Sequence, residues 1–159
     1  MTAERISHDD LDRNLAFVAY GLLFFACFLA GAPALGAVAI AYARRNDASP
    51  LARSHHAYQI WVFWIGFGLA LLMGAAGLAA MFVAFTVVFN VATDGSPSAS
   101  FESFFSDVMT RAADSTIIPL CLVACLVLFI ITALWLVGAS AYGFARLASG
   151  KPMGQTRGS

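Results

Sequence analysis

At 159 residues, with 60% hydrophobic and only 11% charged, the chain is far more apolar than a soluble domain, where charged residues make up about 25%. Nine basic and nine acidic residues cancel, leaving no net field and no Lys/Arg stripe to hold a nucleic acid. The composition is that of an all-α integral membrane protein whose first partner is the lipid bilayer.

Residues 1–14 form a polar arm with four acids and two arginines. It lacks the basic opening and small-residue cleavage site of a secretory signal, so the apolar run that follows is expected to be retained. Asp12 or Asn14 is placed to cap a helix starting near Leu15, because a side-chain oxygen there satisfies the free amides of a first turn. The first apolar run, 15–42, is 28 residues long, more than the roughly 20 that span hydrocarbon but less than two full spans. Gly31 and Pro33 lie at its middle, where a loosened backbone and a missing amide predict a kink or a break. It is either one long kinked helix or a helix with a shorter one returning through the same leaflet.

The connection that follows, 43–57, is charged (Arg44, Arg45, Asp47, Arg53) and ends in His55 and His56. The second run, 58–91, holds 34 residues without a charge; at 1.5 Å each that is about 51 Å, so it must tilt, protrude or bend. Gly74 and Gly77 are the expected bend sites. Gly66, Ala70 and Gly74 recur every fourth residue, a small-residue seam that lets another helix approach. The outer loop, 92–115, opens on a Gly/Pro/Ser turn cluster. It then places Phe101, Phe104, Phe105, Val108 and Met109 at i, i+3, i+4, i+7 and i+8, one apolar stripe on a helix. That helix lies in the membrane interface, either packed on the ends of its own bundle or offered to a partner subunit. The third run, 116–147, carries Pro119 in its first turn. Gly138, Ser140 and Gly143 give it a second close-approach surface. The bundle as a whole covers 15–148. A short, mobile, basic tail, 149–159, closes the chain.

Lys and Arg number three in 43–57, three in 146–159 and one in 92–115. The positive-inside rule therefore places the first connection and the tail in the cytoplasm and the 92–115 loop outside.

Chemistry is scarce. No Asp, Glu, Lys or Arg falls within residues 15–42, 58–91 or 116–145, and ion-coupled transport needs such footholds. There is no nucleophile motif, no glycine loop for phosphate and no enclosed carboxylate pair, so the chain is expected to be neither an enzyme nor a cofactor protein. Cys27, Cys121 and Cys125 lie in apolar runs without metal or redox spacing. His55 and His56 are the residues a metal would use, but a site needs three or four ligands and only His8, Asp47 or a tail residue could add to them. On a helix Gln59 shares a face with both, and the set anchors and caps the second helix.

The order AIAYARRNDASPLARSHHAYQIWVFW, closed by GASAYGFARLASGKPMG, resembles a family of small uncharacterised bacterial inner-membrane proteins. Its mark is R-S/F-H-x-x-x-Q leading into an aromatic-rich helix, carried here by Arg53, Ser54, His55 and Gln59 ahead of Trp61, with Gly150, Lys151 and Pro152 at the far end. That family is distantly similar to the channel-type subunit of the chloroplast inner-envelope (Tic) translocon. The resemblance implies a compact bundle of four helices in the cell inner membrane and no established activity. Two roles are left open: an accessory or assembly subunit of a larger membrane complex, or a self-associating pore or carrier.

Overall fold

The computed structural model describes residues 2–94 and 100–154, with residues 2–9 described by their backbone alone. The turn cluster at 95–99, the side chain of His8, and Arg157 lie outside the described residues. Among the described residues the chain is all helical: α1 (Thr2–Ala26), α2 (Ala32–Arg44), α3 (Pro50–Asp94), α4 (Phe101–Asp114) and α5 (Ile117–Ala148). Two of them, α3 and α5, are long and apolar enough to cross a membrane.

Of the expected arm, 1–14, residues 2–14 are not separate but belong to α1, which starts at Thr2. No Gly or Pro occurs before Gly21, so nothing stops the helix from extending backwards from the apolar run, and Asp12 lies inside it. The first run does break where Gly31 and Pro33 stand. Gly31 adopts φ 81°, its amide donates to Ala26 O at 2.8 Å, and Pro33 falls in the first turn of α2. Left-handed backbone suits glycine, and a first-turn proline loses no needed bond.

α2 returns antiparallel along α1. The seam between them is made of alanines: Ala19 and Ala26 are buried, as are Ala34, Ala37 and Ala41. Methyl side chains let the two backbones approach closely. α3 starts at Pro50 rather than Tyr58, since Ser49 accepts the Arg53 amide at 2.8 Å as N-cap and Pro50 takes N1. It runs for 45 residues, helical through Gly74 and Gly77.

The chain divides into two compact units. Unit 1 comprises residues 1–68 and 131–159 and holds the core: Leu23, Val62 and Leu136 beside the alanines, and Tyr20 with Leu147. Unit 2, residues 69–130, holds the second half of α3, all of α4 and the first half of α5. Its only buried described residue is Val91. Within it Cys125 Sγ donates to Met73 O at 3.5 Å, and Arg111 pairs with Asp94 at 3.2 Å. All three cysteines are free.

Candidate functional site

The polar residues buried in unit 1 are Asp12, His55, His56, Gln59 and Ser140. They are brought together by the α1–α2 hairpin, the first turns of α3 and the end of α5.

Asp12 faces the junction between α2 and α3. One carboxylate oxygen accepts from Arg44 Nη2 and the other from the Ser49 amide at 2.9 Å. It thus caps the start of α3 from a neighbouring helix instead of capping its own. Burial alone would raise its pKa, but the Arg44 and Ser49 hydrogen bonds and the Arg44 charge outweigh that and hold it below the usual carboxylate range. Asp12 in turn raises the pKa of Arg44.

His55 and His56 are fully buried. His55 Nε2 lies 3.0 Å from Lys151 O, and Nδ1 lies 2.9 Å from the Tyr20 hydroxyl. A carbonyl only accepts, so Nε2 carries the proton and Nδ1 accepts from Tyr20 O–H. His55 therefore joins α1, α3 and the segment after α5. The same reasoning orients Gln59. Its amide nitrogen donates to Ala16 O at 2.9 Å, which leaves Oε1 to accept from His56 Nδ1–H at 2.9 Å. His56 Nε2 then holds an unshared lone pair with no protein partner. Ser140 Oγ is a second buried atom without one.

The tail is tied down through Met153. Gly150 at φ 65° ends α5, with Gly150 N donating to Leu147 O and Lys151 N to Arg146 O, both at 3.0 Å. These are the paired bonds of a Schellman motif, which needs a left-handed residue at that point. The turn carries Lys151 O to His55, Pro152 O to Arg146 Nη2 at 2.7 Å and the Met153 amide to Ser54 Oγ at 3.0 Å. The expectation of a mobile tail fails for these residues because their backbone polar groups find partners on α3 and α5.

The expected seam residues divide. A Cβ on Gly66 would sit 3.1 Å from the Leu136 side chain, so the approach there is close. Ala70, Gly74 and Gly138 are exposed, and nothing lies within 4 Å of either glycine's Cβ position. The most intimate contact is at Gly143, also an expected close-approach residue, where a Cβ would clash with the ring edge and hydroxyl of Tyr20. Arg53 is exposed and closes the connection, donating to Asn46 O at 3.0 Å and Ala48 O at 3.4 Å. Trp61 is exposed and meets Trp135 edge-on at 5.2 Å. Phe101, Phe104, Phe105 and Val108 form the expected stripe on α4, started by Ser100, and no residue of that helix is buried.

No protein-family model, curated protein or solved structure matches the chain. Geometry alone carries the functional reading.

No three His, Cys, Asp or Glu side chains gather among the described residues. Both nitrogens of His55 and both oxygens of Asp12 are engaged, and His56 offers one lone pair in a fully enclosed setting. The arrangement can hold four chain segments in register. It presents no reactive atom to an incoming substrate. Reading the sequence alone overlooked Tyr20 and the Asp12–Arg44 pair. A signal existed for the first: Ala16, Ala19, Tyr20, Leu23 and Ala26 fall at i, i+3, i+4, i+7 and i+10, an apolar helix face on which Tyr20 carries the one polar atom.

Proposed function

We propose that this chain is a non-enzymatic, multi-pass protein of the bacterial inner membrane that serves as an accessory or assembly subunit of a larger membrane complex. The observation that carries the reading is the surface of unit 2, where Leu71, Leu78, Phe82, Phe85, Leu122 and Leu126 are all more than half exposed. Side chains of this kind along two long helices need hydrocarbon or another protein around them. α3 and α5 are the spans. The α1–α2 hairpin enters and leaves on one side: α2, at 13 residues, reaches about 20 Å, short of the roughly 30 Å of hydrocarbon. The Asp12–Arg44 pair joins the middle of α1 to the end of α2 at the cytoplasmic surface, where the Lys/Arg count also puts residues 43–57 and the tail. The 92–115 loop then lies outside. There α4 offers Phe101 and Phe105, 81% and 52% exposed, to a partner subunit.

The test is purification in mild detergent from native expression, comparing the wild type with Phe101→Ser/Phe105→Ser. A membrane subunit that copurifies with the wild type and is lost from a variant of unchanged melting temperature is the expected result. A chain that always runs alone removes the subunit reading. The second reading, a self-associating pore or carrier with translocon-like character, is favoured by the outward-facing Ala70, Gly74 and Gly138. Liposome flux decides it, since a reconstituted chain that conducts nothing is no pore.

A further inference from the structure

A concavity of about 250 Å³ opens at the end of α5, lined by Tyr142, Ala145, Arg146, Ser149 and Lys151. We propose that it binds the phosphate of an anionic phospholipid, an inference that rests on the membrane reading above.

The pocket holds two cations and no acid. The ion pairs among the described residues are Arg44–Asp12 and Arg111–Asp94, so the charges of Arg146 and Lys151 are not neutralised by a carboxylate. Arg146 is fixed in place. Its Nη1 donates to the Tyr142 hydroxyl at 3.0 Å and its Nη2 to Pro152 O at 2.7 Å, while the guanidinium carbon stands 5.9 Å from the centre of the Tyr142 ring. Its Nε is enclosed and unpartnered. The Schellman turn at Gly150 folds Lys151 back beside it, and the lysine's carbonyl, held by His55, prevents the segment from swinging away. A pre-positioned guanidinium with an ammonium beside it is complementary to a phosphodiester.

The surroundings distinguish a lipid from a free anion. Toward the middle of α5 the same face presents Leu134, Gly138, Ala141 and Ala145, all exposed. At Gly138, Ala141 and Ala145 that stripe carries nothing larger than a methyl group, so an acyl chain can lie along the helix below the pocket. An aromatic ridge borders it: Tyr142 to Tyr58 at 6.4 Å, Tyr58 to Trp61 at 6.2 Å and Trp61 to Trp135 at 5.2 Å. Amphipathic rings of this kind favour the headgroup level of a bilayer. A soluble phosphate would use the two cations but gain nothing from the trough or the ridge.

Native mass spectrometry of the detergent-purified chain, titrated separately with phosphatidylglycerol, phosphatidylcholine and inorganic phosphate, tests this. Phosphatidylglycerol should bind most tightly. Lys151→Gln should weaken it about fivefold, the effect of one basic residue at an anionic membrane surface, and Lys151→Arg should restore it. Arg45→Gln, which removes an exposed cation outside the pocket, should leave it unchanged. Gly138→Phe, which obstructs the trough at an open position, should weaken phosphatidylglycerol but not inorganic phosphate. Equal losses from Arg45→Gln and Lys151→Gln would reduce the effect to diffuse attraction and overturn the site. Phosphate binding as tightly as phosphatidylglycerol would overturn the lipid assignment. Carbonate extraction of cell membranes reads the underlying membrane assignment separately, so its failure cannot be mistaken for failure of the pocket.

Discussion

Unit 1 and unit 2 are built from the same two long helices, yet they keep almost nothing in common inside. Among the described residues, every buried apolar side chain except Val91 lies in unit 1, as do all five buried polar ones. Unit 2 shows a run of exposed Leu, Phe and Val with a few local hydrogen bonds. In hydrocarbon, apolar contact by itself gives little preference for protein over lipid, so what holds helices together is close packing and interhelical hydrogen bonds. Unit 1 has both, in its alanine seam and its His55, Gln59 and Asp12 bonds. The difference teaches that hydropathy locates the apolar segments but does not say which of them will pack; the small and polar residues within them do.

The sharpest way to break the contrast is at glycines. Gly143→Leu must drive a side chain into the Tyr20 ring, which cannot yield without releasing His55; a loss of more than about 3 kcal/mol, seen as failure to accumulate, is expected. Gly74→Ala in unit 2 meets no atom within 4 Å and should cost nothing.

His55→Ala comes next. It strands the Tyr20 hydroxyl and the Lys151 carbonyl and leaves a void, so a loss of about 2–4 kcal/mol in detergent unfolding followed by circular dichroism is expected. A variant that melts like the wild type would show that the polar cluster does not hold unit 1.

Asp12 adds a pH dependence. Its folded pKa is depressed, so the stability it provides is fully present above its unfolded pKa, about 3.9, and is lost as pH falls through the lower folded value. Asp12→Asn should melt about 3–6 °C below the wild type near pH 7. The gap should close as pH is lowered past about 4. A constant gap from neutral to acid pH would mean that the carboxylate charge is not what matters there.

Tyr20→Phe removes only the hydroxyl donated to His55 and should cost about 0.6–1.7 kcal/mol, the range of single interhelical bonds in a bilayer. Gly74→Ala should be neutral or raise stability by up to about 1 kcal/mol through helix propensity. If Gly74→Ala destabilised the chain instead, unit 2 would have a packing partner at that face.

Several of these features were legible from residue order. Gly31 and Pro33 mark the break, the i, i+3 spacing of His56 and Gln59 puts them on one helix face, and the Phe101–Val108 stripe predicts α4. The starts of α1 and α3 are not legible in the apolar runs: the helices begin at Thr2 and Pro50, ahead of Leu15 and Tyr58, because polar stretches of good helix formers continue them beyond the hydrocarbon-like segments. The roles of Gly138 and Gly143 could not be separated either, since both are small residues on one helix.

What the sequence determined by itself is therefore local: where apolar runs lie, where glycine and proline interrupt them, and which side chains share a helix face. Each follows from backbone sterics and a fixed helical repeat. Only the tertiary structure decided that His55 meets Tyr20, 35 residues back, and Lys151, 96 residues on. Likewise it alone decided that Asp12 caps α3 and that Gly143 rather than Gly138 receives a neighbour. Those outcomes depend on the rotation of each helix about its axis, which is fixed by which buried donors and acceptors can all be paired at once.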